Sequence, residues 1–204
     1  MERRRILTIV RAGSVILVVA AMVAAIAALV DEGRFDPTRF FAFFTIDSNL
    51  IGVAAFVWLI ADREAQRPKA LELLRGAAVV YLTVTFFVVI TLLSGEDVQL
   101  DLVWVDVVLH KVFPIIVIAD WIIDPPRTRL TLRDGLLWLA FPIAWVAVTL
   151  ARGAADGWYP YPFLDPANGG YGQVAIVVVA ITIGFLVVSA ITVALGNRRA
   201  EQVR

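Results

Sequence analysis

Six long apolar stretches constrain what this chain can fold into. An α-helix needs about 20 mainly apolar residues to cross a bilayer, and the stretches that meet this requirement are approximately 9–30, 41–61, 76–94, 102–123, 133–151 and 172–196. Hydrophobic residues make up 60% of the 204-residue chain, against about 45–50% in soluble domains. The stretches are continuously apolar, which favours helices over a transmembrane barrel. We therefore predict an all-α, polytopic integral membrane protein with six transmembrane helices in one domain, residues 1–204.

The distribution of Lys and Arg predicts the orientation of these helices. The N-terminal segment, the second and fourth connections and the C-terminal tail hold 14 of the 18 cationic residues; the other connections hold 3, and Lys111 lies within the fourth stretch. The third connection, 95–101, carries only acidic charges. We expect both termini to be cytoplasmic. Asp62, Asp120 and Asp124 fall near cytoplasmic helix ends, where we expect solvated or capping roles.

Two counts limit the chemistry that the chain can carry. It contains no cysteine, which excludes disulfides, a thiol nucleophile and Cys-ligated metal sites. Its single histidine, His110, cannot form a two-histidine haem site. Net charge is zero, which makes nucleic acid an improbable partner. We expect no metal and no organic cofactor.

His110 lies within the fourth apolar stretch, between Asp106 and Lys111. Ionisable groups at bilayer depth are costly and usually face a bundle interior or a wet cavity, where they serve function. Asp106 and His110 are four residues apart and so share one helix face. Burial favours the neutral imidazole, which can act as a base near pH 7.

Thr45 lies near the outer end of the second stretch, where Ser48 and Asn49 share its helix face and Asp47 points elsewhere. At about 1.5 Å per residue, Thr45 lies about 6 Å below the outer surface and His110 about 12 Å below it. If the second and fourth helices touch, a hydroxyl, an imidazole and a carboxylate converge. This combination suits a threonine nucleophile activated by His110, with Asp106 orienting the ring. Alternatively, the Thr45 hydroxyl bonds back to its own helix.

Other polar residues are candidates for binding the substrate. Ser48, Asn49, Tyr81 or Lys111 could donate to a developing oxyanion, and Lys111 could instead pair with Asp47. The last outer connection, 152–171, is rich in proline, glycine and aromatic residues, so we expect no helix there. Its Trp158, Tyr159 and Tyr161 either anchor the protein at the membrane interface or fold over the outer mouth as a rim or lid.

Three segments resemble the androgen-induced-gene family of multi-pass membrane threonine hydrolases, which cleave fatty-acid esters of hydroxy fatty acids. They are Phe43-Phe44-Thr45, the run Val112-Phe-Pro-Ile-Ile-Val-Ile-Ala-Asp120 that follows His110, and Gly157-Trp-Tyr-Pro-Tyr-Pro-Phe-Leu-Asp165. The resemblance implies that Thr45 is the nucleophile and His110 the base. Ser48-Asn49 and Lys111 differ from the animal members and are closer to a bacterial branch, which implies the inner membrane of a bacterium.

We therefore expect an intramembrane lipid-ester hydrolase whose partners are a fatty-acyl ester and membrane lipids. Two other classes stay open. In a proton- or ion-coupled transporter, Asp47, Asp106, His110 and Lys111 would form a relay, and Thr45 would be dispensable. In a non-catalytic lipid-binding protein, replacing His110 would change stability without affecting any turnover.

Overall fold

The computed structural model of the chain describes residues 2–62, 67–93 and 102–203. Within them the longest helices are α1 Glu2–Asp31, α3 Phe44–Ala61, α4 Lys69–Leu92, α8 Ala140–Asp156 and α9 Gly170–Val203. The shorter helices are α2 Pro37–Phe40, α5 Val103–Val107, α6 Phe113–Ile123 and α7 Leu132–Leu137. A π-helical turn, Val108–Val112, joins α5 to α6, and two 3₁₀ turns, Pro162–Leu164 and Pro166–Asn168, precede α9.

Five segments of the described chain are helical, long and apolar enough to cross a membrane: Glu2–Asp31, Phe44–Ala61, Lys69–Leu92, Leu132–Asp156 and Gly170–Gln202. The described residues contain helices and no β-strand, so the all-α prediction is confirmed for them. The acidic connection 95–101 and two of the counted cations, Arg63 and Arg204, lie outside the described residues.

The helices extend beyond the apolar stretches that predict them. α1 begins at Glu2 and not near residue 9, α4 begins at Lys69 and not near 76, and α9 continues to Val203. Hydropathy detects only the apolar part of a helix, whereas the backbone remains helical through polar turns. The fifth stretch differs in another way, because a turn at Trp138 and Leu139 separates α7 from α8.

The fourth stretch is helical from Val103 to Ile123, but its hydrogen-bond pattern changes around His110. The Phe113 N–H donates to the Val108 carbonyl, five residues back, in the π-helical pattern. Pro114 follows at once and has no N–H to donate. The Leu109 carbonyl therefore loses the donor that a regular α-helix would supply. Such π-helical turns are frequent at functional sites.

Close packing brings α3 against the helices that surround it. A Cβ atom at Gly52 would lie 2.6 Å from Phe113 Cε1, so only glycine permits the observed approach of α3 to α6. At the N-terminal end of α3, the buried Phe44 ring lies 5.2–5.8 Å from four other rings, those of Tyr81, Phe141, Trp145 and Phe185. These contacts hold the first turn of α3 against α4, α8 and α9.

A buried ion cluster lies at the opposite end of α3. It pairs Arg11 with Asp120 (2.8 Å) and Asp124 (2.5 Å), Arg75 with Glu72 (2.7 Å) and Asp120 (3.1 Å), and Arg67 with Asp124 and Glu72 (3.6 Å). The expectation of solvated or capping roles is therefore wrong for Asp120, which is buried, and for Asp124, which pairs with two arginines. Each charge has more than one partner, which offsets the cost of removing it from water.

Both ends of the chain contact this same end of the bundle. The Arg3 guanidinium donates to the Ile123 carbonyl at the end of α6, and Arg199 donates to the Ile122 carbonyl at 3.3 Å. Asn197 of α9 also exchanges hydrogen bonds with the backbone of Leu130. The beginning of α1 and the end of α9 thus lie on one side of the bundle, with the ion cluster.

Candidate active site

Thr45, His110 and Asp106 form a connected row of side chains. His110 Nε2 lies 3.2 Å from Thr45 Oγ1, and His110 Nδ1 lies 2.7 Å from Asp106 Oδ1. Thr45 and His110 are 6% and 3% exposed, whereas the Asp106 side chain is partly open, at 33%. The row therefore runs from the bundle surface into its interior.

The carboxylate fixes which ring nitrogen carries the proton. An ionised carboxylate can only accept a hydrogen bond, so His110 Nδ1–H donates to Asp106, and in the neutral imidazole Nε2 then keeps its lone pair. That lone pair faces the Thr45 hydroxyl, which donates to it. This is the orientation in which an imidazole can remove a hydroxyl proton.

Asn49 joins the helix that carries Thr45 to the helix that carries His110. Its Nδ2 donates to the Thr45 carbonyl at 2.8 Å and to the Leu109 carbonyl at 3.2 Å. Leu109 offers the carbonyl that the π-helical turn leaves without a backbone donor. Both N–H groups of Asn49 are thus used, which excludes Asn49 as a direct donor to an oxyanion.

The other predicted oxyanion donors also have partners elsewhere. Ser48 Oγ donates to the Phe44 carbonyl at 2.6 Å, and Tyr81 Oη donates to the Trp138 carbonyl at 2.7 Å. Lys111 Nζ lies 3.8 Å from Asp106 Oδ2, so it pairs with Asp106 and not with Asp47. The predicted direct substrate contacts of Ser48 and Tyr81 are therefore not supported, and Lys111 reaches the site only through Asp106.

The aromatic connection brings Tyr161, a predicted substrate-binding residue, into contact with Thr45. Tyr161 Oη lies 3.4 Å from Thr45 Oγ1 and 3.4 Å from the Thr45 backbone nitrogen, which donates to it. Tyr161 is buried, and this burial raises the pKa of its phenol. The sequence predicted Tyr161 as a substrate-binding or interfacial aromatic but not as a partner of Thr45, because no local pattern reveals a contact between residues 116 positions apart.

The remaining predicted residues lie around the site and not in its centre. Asp47 lines a separate outer cavity with Arg152 and Trp158. The Tyr159 ring packs against Gly153 of α8, where a Cβ atom would lie 2.2 Å from Tyr159 Cε1. Trp158 also borders the cavity that contains His110. The expectation that 152–171 contains no helix is wrong at both ends, since α8 continues to Asp156 and α9 begins at Gly170.

Two cavities meet at Thr45. An inner, apolar cavity of about 80 Å³ lies between α4, α8 and α9 and is lined by Thr45, Val88, Val146, Ile181 and Tyr161, among others. A larger outer cavity of about 340 Å³ is lined by Thr45, His110, Phe43, Arg34 and Arg39, among others. The hydroxyl is therefore reachable from an apolar side and from a side that carries charged groups, since Asp36 lines the outer cavity together with the two arginines.

Comparison of the chain with protein-family models, with curated proteins and with solved structures finds no match. The chemistry of the site must therefore be argued from its own geometry. A hydroxyl, a neutral imidazole that faces it and a carboxylate that orients the ring are the parts of an activated nucleophile.

Proposed function

We propose that this protein is an intramembrane lipid-ester hydrolase, with Thr45 as nucleophile, His110 as general base and Asp106 as the group that orients His110. The observation that carries the proposal is the 3.2 Å contact between His110 Nε2 and Thr45 Oγ1, backed by the 2.7 Å contact between His110 and Asp106. A hydroxyl needs an adjacent base to become nucleophilic. The resemblance to the androgen-induced-gene family supports the same two residues.

The reaction proceeds in two steps, acylation of Thr45 and hydrolysis of the acyl-threonine. Thr45 Oγ1 attacks the ester carbonyl carbon while its proton passes to His110 Nε2; the tetrahedral intermediate then expels the alcohol, which takes that proton. In the second step, water attacks the acyl-threonine and gives a proton to His110. The bond between Thr45 Oγ1 and the acyl carbon then breaks, Oγ1 takes this proton from His110, and a carboxylic acid is released. Asp106 stabilises the imidazolium in both steps.

The apolar lining of the inner cavity supports a substrate with an apolar acyl group. The inner cavity is narrow and apolar, which suits one hydrocarbon chain. The outer cavity is wider and bordered by Arg34 and Arg39, so it suits the alcohol part of the substrate. An ester between a fatty acid and a hydroxy fatty acid fits this division, because its carbonyl would lie at Thr45.

We propose that this hydrolase crosses the membrane six times. The segment from Val103 to Ile123 supplies a sixth span, since it stays helical through the π turn. Contacts of Arg3 and Arg199 with the same end of α6 agree with an even number of spans. We propose that this end is cytoplasmic, because most cationic residues belong to it, and that the Thr45 site opens toward the outer leaflet of a bacterial inner membrane.

Labelling with a fluorophosphonate ester probe tests the proposal. Purified wild-type protein in detergent should form a covalent adduct at Thr45, mapped by peptide mass spectrometry. Thr45→Val, which keeps the branched shape without the hydroxyl, should not label, and His110→Ala should label at least 100-fold more slowly. Thr91→Ala is the matched control, since its hydroxyl donates to the Phe87 carbonyl of its own helix.

Two outcomes would contradict the hydrolase proposal: an unlabelled wild type, or equal labelling of Thr45→Val. A transporter would show gradient-dependent uptake in liposomes that Thr45→Val leaves unchanged. A lipid-binding protein would bind fatty-acyl esters without cleaving them, in the wild type and in Thr45→Val alike.

A further inference from the structure

The Tyr161 hydroxyl lies next to Thr45, where a proton donor could act on the reacting atoms. Its Oη accepts the N–H of Thr45, in the first turn of α3, and lies 3.4 Å from Thr45 Oγ1. The first N–H groups of a helix have no partner within the helix, so Tyr161 satisfies one of them. The phenolic proton is then free to point toward Oγ1 or toward an atom bonded next to it.

The hydrogen-bond directions along the row agree with this position. Tyr161 O–H can donate to Thr45 Oγ1, Thr45 O–H to His110 Nε2, and His110 Nδ1–H to Asp106. When Thr45 Oγ1 bonds to the ester carbonyl carbon, the oxygen attached to that carbon becomes negatively charged. The Tyr161 hydroxyl, 3.4 Å from Thr45 Oγ1, lies on the same side of the reacting atoms as a donor to that oxygen would.

The surrounding rings hold Tyr161 in place. Its ring stacks on Phe163 with centroids 5.2 Å apart, and it meets Phe43 edge-on at 5.7 Å. Such contacts restrict the ring before the substrate arrives, which is the condition for strong electrostatic stabilisation. Burial raises the pKa of the phenol, so the group keeps its proton at neutral pH.

We propose that Tyr161 is a catalytic residue that donates its O–H to the oxyanion formed when Thr45 attacks the ester. This inference rests on the proposed hydrolase function. As the Oγ1–C bond forms, the π electrons of the carbonyl move to its oxygen and the Thr45 proton moves to His110. Tyr161 stabilises the negative oxygen by hydrogen bonding and keeps its own proton throughout.

The test compares Tyr161→Phe with Tyr81→Phe. Both variants lose one buried phenolic hydroxyl, but the Tyr81 hydroxyl donates to the Trp138 carbonyl and not to the site. With a 4-nitrophenyl fatty-acyl ester as substrate, we expect Tyr161→Phe to lower kcat by about 100-fold, in the range for loss of one oxyanion donor. Its KM should stay within about threefold of the wild-type value, because the donor acts on the transition state. Tyr81→Phe should keep the wild-type kcat.

A trifluoromethyl ketone with the same acyl chain gives a second measurement, because it forms a tetrahedral oxyanion adduct with the nucleophile. Its affinity for Tyr161→Phe should fall by about the same factor as kcat. If Thr45 labels in the wild type but Tyr161→Phe keeps kcat and ketone affinity, the Tyr161 role is refuted and the hydrolase stands. A higher KM with an unchanged kcat would also refute the Tyr161 role. Absence of wild-type labelling and turnover would overturn both.

Discussion

His110 Nε2 lies 3.2 Å from Thr45 Oγ1, although 65 residues separate the two along the chain. Two features of the surrounding helices produce this contact. The π-helical turn Val108–Val112 changes the direction in which His110 projects, and Gly52 lets α3 approach α6.

Replacing Asp106 by Asn should lower kcat by about 100-fold to 10,000-fold. The amide can donate to His110 Nδ1, which favours the tautomer with a protonated Nε2 that cannot accept the Thr45 proton. Steady-state hydrolysis of a fatty-acyl ester measures the effect. Asp156→Asn is the control, because Asp156 pairs with Arg152 at the end of α8. An Asp106→Asn enzyme with wild-type kcat would show that this carboxylate does not orient His110.

Replacing Asn49 by Asp should lower kcat by about tenfold or more and leave KM nearly unchanged. Aspartate has a similar size but cannot donate to the carbonyls of Thr45 and Leu109, so α3 and the π-helical turn lose their shared bond. Asn197→Asp removes a comparable donor from the Leu130 carbonyl at the other end of the bundle. The Asn197→Asp variant should be less stable than the wild type but should keep the wild-type kcat. Equal kcat values for the two variants would contradict a positioning role for Asn49.

Replacing Gly52 by Ala should destabilise the protein by about 1–3 kcal/mol, as overpacking of a tight contact usually does. The added Cβ would lie 2.6 Å from Phe113 Cε1, so α3 or the ring must move. We also expect lower activity, because this movement separates Thr45 from His110. Thermal unfolding in detergent and ester hydrolysis measure the two effects. Gly184→Ala in α9 meets no atom within 4 Å, so an equal loss of stability there would contradict the explanation.

Acidification should weaken the buried ion cluster as pH falls below the ordinary pKa of a carboxyl. Burial alone would raise the pKa of the Asp124 carboxyl, but Arg67, Arg75 and Arg11 outweigh it and lower that pKa to about 2. A carboxyl with a lowered pKa stabilises the fold above its ordinary pKa of about 4, and this stability is lost as pH falls from about 4 toward 2. The size is on the order of 2 kcal/mol.

Thermal unfolding in detergent at a series of pH values checks this prediction. Asp124→Asn should lower Tm at pH 7, because it leaves Arg11 and Arg67 with one fewer anionic partner. The same variant should lose less stability than the wild type between pH 4 and 2. Parallel pH dependence in both proteins would mean that Asp124 does not contribute in this window.

Several features of the site follow from spacing along one helix. Asp106 and His110 are four residues apart, and their 2.7 Å contact is local to one helix face. Thr45, Ser48 and Asn49 share a buried face of α3 for the same reason. Spacing could not assign their partners, however. Asn49 and Ser48 resembled free donors in the sequence. Ser48 instead bonds back to the Phe44 carbonyl one turn earlier in its own helix, and Asn49 donates to the Leu109 carbonyl, which only the folded chain brings within reach.

Other features depend on contacts between distant segments. Asp120 and Asp124 lie near the end of an apolar stretch, where a sequence suggests contact with water. In the folded chain the two carboxylates are drawn out of water, because Arg11, Arg67 and Arg75 converge on them from three other segments. In the same way, Tyr161 reached Thr45 because its connection folds inward over the outer end of α3.

The sequence by itself determined the helical class and the presence of helices long and apolar enough to cross a membrane, and it singled out His110 and Thr45 as candidates, because apolar length and the cost of buried polar groups are properties of local composition. Only the tertiary structure decided which polar groups meet, which donors are already occupied, and that Tyr161 lies beside the proposed nucleophile. The physical reason is that hydrogen bonds are directional and short, so their assignment depends on helix packing to within an ångström.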